Sequence, residues 1–157
     1  MLEKQVGELL RARGETLAVA ESCTGGKVGD MITNVPGSSD YFLGGVISYS
    51  NDAKVRVLGV KESTIKAKGA VSEEVALQMA AGARKKLRST YGIGITGIAG
   101  PNSGTSAKPV GLVYIAVSSA EDSLVERVVF KGTRTEVKLQ AANFSLKLLQ
   151  DFMEKHS

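Results

Sequence analysis

The stretch Thr16–Gly26, TLAVAESCTGG, restricts the fold of this chain more than any other. Leu17, Ala18, Val19 and Ala20 form a short apolar run just after Gly14, and a run of this length bounded by turn formers reads as a buried strand. Glu21, Ser22, Cys23, Thr24, Gly25 and Gly26 follow, small or polar at every position. Val28, Met31, Ile32 and Val35 then fall at helical spacing up to Pro36. The pattern is strand, tight turn, helix. A helix start gathers free backbone N–H groups and a partial positive charge, so it favours an anion. A hydroxyl held there can also act as a nucleophile whose developing oxyanion those N–H groups stabilise. Two readings stay open on these residues alone: Ser22 or Thr24 caps the helix, or Ser22 does chemistry.

The rest of the chain supplies layers around this unit. Residues 2–13 put Leu2, Val6, Leu9 and Leu10 on one helical face, with Gly14 as the C-terminal cap. Tyr41–Tyr49 reads as a strand whose Gly44–Gly45 pair marks a bulge or a close backbone approach. Ser50 or Asn51 caps a short helix reaching Gly59, and another short helix is expected over 63–68. Ser72 caps a helix carrying Val75, Met79, Ala83 and Leu87 to about Ser89, with Glu73 and Glu74 in its first turn. Tyr91–Ile98 is a strand and 99–109 a loop. Val110–Ser118 and Ser123–Phe130 pair as a hairpin across the short connection 119–122. Thr133 and Glu136 have capping-box spacing at the start of the last helix, whose buried stripe is Val137, Ala141, Phe144, Leu148 and Phe152. Strands that alternate with helices early and pair as a hairpin late predict a three-layer α/β/α sandwich, with a mixed, mainly parallel sheet of about five strands. With 157 residues and no linker or repeat, the chain 1–157 reads as one domain.

Composition removes several classes of function. No apolar run approaches the roughly 20 residues that span a bilayer, and the charged, amphipathic start MLEKQVGELLRAR is unlike a secretory signal. A single cysteine excludes an internal disulfide, and the expectation is a cytoplasmic protein with no membrane partner. The net charge of +4 comes from 20 basic and 16 acidic residues that do not cluster along the sequence, and there is no Trp; both argue against nucleic acid as a partner.

The one histidine, His156, is the penultimate residue. A frayed tail is a poor place for a catalytic base, so a Ser-His-Asp triad is not expected. The same shortage, with one Cys, argues against a zinc site; neither metal nor cofactor is expected. A Ser22 nucleophile therefore needs another base, and lysine is the usual substitute. Most lysines are solvated surface residues, but Lys54 in YSNDAK lies in the first turn of a helix after a strand end. There the dipole and partial burial both disfavour the ammonium, and a lowered pKa is what a lysine base requires. Cys23 is the rival nucleophile, set against the commoner role of a free cysteine as a small buried hydrophobe. Gly92, Gly94 and Gly97 spell G-x-G-x-x-G, but inside a strand and before NSGTSAKP rather than a helix, so a dinucleotide site is rejected. The loop Gly97–Gly104 either wraps a phosphate with backbone N–H groups or is an ordinary surface loop. Arg134, near the start of the last helix, is a candidate phosphate clamp.

Five motifs, ESCTGG at 21–26, GGVISYSNDAK at 44–54, GAVSEEVALQMA at 69–80, GITGIAGP at 94–101 and KPVGLVYIAV at 108–117, together resemble the C-terminal domain of the competence/damage-inducible CinA family. That domain also occurs alone as a nicotinamide-nucleotide amidase, and the resemblance covers nearly the whole chain. It implies hydrolysis of the carboxamide of nicotinamide mononucleotide to nicotinic acid mononucleotide and ammonia, by a serine–lysine mechanism. The family's nucleophile matches Ser22, its base Lys54, and the tyrosine assisting the pair Tyr49. A hydroxyl residue of the third strand matches Thr96, and an arginine before the last helix matches Arg134. Backbone N–H groups around Thr24, Gly25 and Gly26 are expected to form the oxyanion hole. Ser48, Gly97, Ile98, Ala99 and Gly100 are expected to contact substrate. The family's N-terminal domain has no counterpart here, so its activity is not expected. Two alternatives remain: a nucleotide-binding domain without turnover, told apart by ammonia release, and a competence or DNA-damage accessory, told apart by salt-sensitive DNA binding. A homo-oligomer stays open.

Overall fold

The run Leu17–Glu21 is buried at every residue and forms β1, an interior strand of a five-stranded sheet. A computed structural model describes residues 1–156. Around β1 the chain runs through α1 (Leu2–Arg13), α2 (Lys27–Thr33), β2 (Phe42–Ile47), α3 (Asn51–Leu58), α4 (Glu62–Lys68), α5 (Glu73–Leu87), β3 (Tyr91–Gly97), β4 (Leu112–Ser118), β5 (Ser123–Val129) and α6 (Arg134–Lys155). The strand order is β2-β1-β3-β4-β5. β1 pairs parallel with β2 and β3, while β4 is antiparallel to both β3 and β5. Only β4 therefore runs against the others, which is the mixed, mainly parallel sheet predicted. Caps follow the expected chemistry. Gly14 closes α1 in the left-handed region, Ser50 and Ser72 cap α3 and α5 with their side chains, and Thr133 with Glu136 forms a full capping box on α6.

Side chains alternate across a strand, so each strand feeds two different layers. Leu17, Val19, Ile93, Ile95, Val113, Ile115 and Val117 point to the face covered by α1, α2 and α6. Ala18, Ala20 and Ala116 point to the other face, under α5. Gly92 and Gly94 share this second face. A Cβ on Gly92 would stand 2.1 Å from the Ala80 carbonyl oxygen, and one on Gly94 would stand 2.3 Å from that of Ala76. The backbone of α5 thus rests directly on that of β3, and the first two glycines of the repeat that imitates a dinucleotide fingerprint serve helix-on-sheet packing, while Gly97 lies against Leu112 and Val113. Gly94→Ala is expected to destabilise the fold by about 1–3 kcal/mol or more, the cost of overpacking against backbone that cannot step aside. A drop in the urea midpoint checks this; an unchanged midpoint would show that α5 lifts off the sheet freely.

Three local departures have clear causes. The pairing of β1 with β2 skips from Leu17–Phe42 to Ala18–Gly44, leaving Leu43 as the extra residue of a bulge beside Gly44 at φ 140°. β2 also stops at Ile47 rather than Tyr49, because the carbonyls of the next two residues turn to Lys54 while the Ser48 N–H keeps its bond to the Glu21 carbonyl of β1. The tail is not frayed: the His156 ring stacks on Phe152 with 4.2 Å between centroids, and its Nε2 lies 2.9 Å from Asp122 Oδ2. This places His156 beside the β4–β5 turn, at the end of the sheet opposite Ser22. Among the described residues no helix is long and apolar enough to cross a membrane.

Candidate active site

The chain leaves β1 through α2 on one face of the sheet and reaches β3 through α3–α5 on the other. Connections that part in this way open a crevice above the carboxyl ends of β1 and β3. Here it is a cleft of about 380 Å³. Ser22 and Cys23 enter it from the end of β1, and Thr96, Gly97, Ile98 and Ala99 from the end of β3. Tyr49, Asn51 and Lys54 come from the β2–α3 junction, and Arg134 from the start of α6.

The turn that carries Ser22 is built around a buried acid. Glu21 is 2% exposed. Its Oε1 accepts hydrogen bonds from Thr24 Oγ1 at 2.6 Å, the Gly26 N–H at 3.1 Å and the Val28 N–H at 3.0 Å, and its Oε2 accepts one from the Gly29 N–H at 3.0 Å. The opening amides of α2 are therefore spent on a carboxylate of the protein itself, and the helix start is not free to cradle a substrate anion. The Gly25 N–H donates to the Ser22 carbonyl at 3.1 Å. This corrects the expected oxyanion hole: the amides of Gly25 and Gly26 are already engaged, whereas the Thr24 amide has no acceptor among the described residues. The Thr24 side chain faces Glu21 and not the cleft, so only its main-chain N–H is left to meet a substrate. Sequence reasoning passed over Glu21, although an acid closing a buried strand before a glycine-rich helix start is a readable signal.

Lys54 is only 2% exposed, and its Nζ lies 3.0 Å from Ser22 Oγ, 2.8 Å from the Ser48 carbonyl and 3.3 Å from the Tyr49 carbonyl. Among the described residues no carboxylate pairs with it. Burial depresses its pKa below the ordinary 10.5. A neutral amine suits this set of partners well, with two N–H donors for the two carbonyls and a lone pair facing the Ser22 hydroxyl. Cys23, next along the turn, is buried, and that burial pushes its thiol up to about 11, so it is protonated and a poor nucleophile at neutral pH. Cys23→Ala is accordingly expected to keep most of the activity of the site. A dead Cys23→Ala beside an active Ser22→Ala would exchange the two roles.

The structure redistributes several expected contacts. Ser48 is wholly buried, its hydroxyl donating to the Glu21 carbonyl at 3.3 Å, so it holds Lys54 through its own carbonyl and does not line the cleft. The Tyr49 hydroxyl, expected beside the dyad, instead accepts from Arg134 Nη2 at 3.0 Å, and only the Tyr49 carbonyl touches Lys54. Arg134 Nη1 donates to the Gly100 carbonyl at 2.6 Å; Gly100 braces the arginine and does not border the cleft. Thr96 borders it with its hydroxyl tied to the Ala70 carbonyl at 2.9 Å. Asn51, Ala70, Val71 and Ser103 also line the cleft. Each lies in a stretch that the sequence had marked, Asn51 at the helix start beside Lys54, Ala70 and Val71 in the motif at 69–80 and Ser103 in the loop Gly97–Gly104, but none was named as a site residue.

Comparison with known proteins is consistent along the whole chain. The sequence profile of the CinA C-terminal domain matches residues 1–153. A CinA-like protein of Nostoc punctiforme is 51% identical over 148 residues, which are 92% of this chain and 36% of that protein, so the chain spans little more than a third of that relative's length. The crystal structure of competence/damage inducible protein CihA from Agrobacterium tumefaciens superposes with a TM-score of 0.93 at 37% identity, covering 96% of this chain and 92% of that one. The competence damage-inducible protein A of Klebsiella pneumoniae superposes at 0.94 and 30% identity, covering 98% and 95%.

Proposed function

The chain belongs to the CinA C-terminal domain family, and from the contact between Lys54 and Ser22 we propose that it hydrolyses the carboxamide of nicotinamide mononucleotide to nicotinic acid mononucleotide and ammonia. The observation that carries this reading is the buried, uncompensated Lys54 Nζ at 3.0 Å from Ser22 Oγ. Lys54 accepts the Ser22 proton as Oγ attacks the amide carbon, and the oxyanion forms beside the Thr24 amide. The tetrahedral species collapses as Lys54 returns the proton to the departing nitrogen, leaving an ester on Ser22 and releasing ammonia. Lys54 then takes a proton from water, whose oxygen attacks the ester carbon, and reprotonates Ser22 as the acid leaves. A cleft of about 380 Å³ falls in the usual range for small ligands. Arg134 sits at its rim with guanidinium donors beyond the two given to Gly100 and Tyr49, which suits a phosphate.

The direct test is a coupled assay of ammonia release from nicotinamide mononucleotide. Binding of the mononucleotide without ammonia would return the domain to a non-catalytic reading. The pH profile carries a second expectation. The amine is the active form, so kcat/KM rises with pH and levels off above an apparent pKa lower than 10.5. The same depression makes the folded state shed this proton before the unfolded state does. The Lys54 contribution to stability therefore improves as pH climbs from the folded value towards 10.5. A kcat/KM that shows no rise with pH on the acid side of that plateau would remove Lys54 as the base.

A further inference from the structure

We infer that Glu21 is the positioning residue of the Ser22–Lys54 pair, holding the nucleophile's turn with its carboxylate and the base's support with its main-chain carbonyl. The inference rests on the reading of Ser22 as nucleophile and goes beyond it. A carboxylate buried to this degree is costly unless its oxygens are satisfied. Here they are satisfied by one hydroxyl and three amides, all within residues 24–29, and by no basic side chain among the described residues. Those four donors pin the turn at both ends, since Ser22 directly follows Glu21 and α2 begins where the donors lie. The Ser22 N–H is separately fixed to the Ile95 carbonyl at 3.1 Å, so the backbone of the nucleophile has no freedom between β1 and α2.

The other half of the argument runs through the main chain. The Glu21 carbonyl accepts the Ser48 N–H at 2.7 Å and the Ser48 hydroxyl at 3.3 Å. Ser48 in turn presents its carbonyl to Lys54 Nζ at 2.8 Å. One residue thus sets the height of both Oγ and Nζ above the sheet. An apolar side chain of similar size would fill the same volume but would leave three α2 amides without acceptors and the turn free to shift. Small displacements of a nucleophile carry large penalties in rate.

A fluorophosphonate probe, which reports an activated serine without nicotinamide mononucleotide, tests this on the full chain. The wild type should label at Ser22, and Ser22→Ala should not. Glu21→Gln replaces an acceptor oxygen with an N–H donor that faces other donors, and it is expected to label at least about tenfold more slowly per folded molecule, with kcat falling more than KM changes. Thr24→Val removes one donor while keeping the carboxylate and all three amides. It should slow labelling by a smaller factor, and it serves if Glu21→Gln does not fold. A wild-type labelling rate in whichever variant folds, with only the melting temperature lowered, would reduce Glu21 to a helix cap and overturn the inference. Failure of the wild type to label at Ser22 overturns it together with the serine mechanism. Labelling at Ser22 without ammonia release overturns the substrate assignment alone.

Discussion

Ser22→Ala is expected to lower deamidation of nicotinamide mononucleotide by at least about 10³-fold, and Lys54→Arg to do the same, because members of one nucleophile–base unit fail together. The alanine shortens a side chain in a turn whose shape Glu21 maintains, so the fold should survive. The arginine keeps the charge but cannot accept a proton near neutral pH. It also brings a planar group into a space where Nζ has three partners between 2.8 and 3.3 Å. The double variant should be little worse than either single one. Rates from the ammonia assay, with circular dichroism to verify folding, check all three proteins. Turnover near wild type in Lys54→Arg would take Lys54 out of the mechanism.

The second large effect concerns the phosphate. A carboxamide offers one acceptor and two donors, too little to select a substrate among metabolites. The 5′-phosphate offers a doubly charged anchor, and with the start of α2 closed by Glu21 its partners narrow to Arg134 and the backbone of residues 97–99 at the end of β3. Binding that remote group also aligns the amide carbon with Ser22, so its loss should lower turnover as well as affinity. A hydrogen bond to a charged group contributes about 1.5–3 kcal/mol. Preference for the mononucleotide over nicotinamide riboside and free nicotinamide should then be several kcal/mol, roughly 10²-fold or more in kcat/KM. Arg134→Ala should shrink the preference mainly by damaging the mononucleotide reaction, since it also frees the Tyr49 hydroxyl and the Gly100 carbonyl that the arginine holds. Kinetics on three substrates with two proteins decide the matter. Equal kcat/KM for riboside and mononucleotide in the wild type would mean the phosphate is not read.

Elements and caps were legible because they are local. The αL glycine after α1, the serine caps of α3 and α5 and the capping box of α6 each depend on residues within one turn of one another. The bulge at Leu43 announced itself through the glycine pair beside it. The residues of the cleft were legible in part for the same reason, since strand ends and helix starts place Ser22, Thr96, Lys54 and Arg134 at one edge of the sheet. Their partners were not. A sequence lists the acceptors near Tyr49 and Glu21 without saying which donor reaches them, and the expected duties of Tyr49, Ser48 and Gly26 changed on that point.

By itself the amino-acid order determined that this chain alternates strands and helices around a small-residue turn, which faces are apolar, and which hydroxyl and amine could act as nucleophile and base. Periodicity, capping and side-chain chemistry are properties of short stretches. The tertiary structure alone decided that Ser22 Oγ and Lys54 Nζ, 32 positions apart, come to 3.0 Å, that Glu21 fills the anion site at the start of α2, and that Gly92 and Gly94 make room for α5. Those outcomes depend on the order of strands and on which helix lies on which face. Assembly of the sheet and its two helical layers brings distant segments to hydrogen-bond distance, and only then are the donors and acceptors paired.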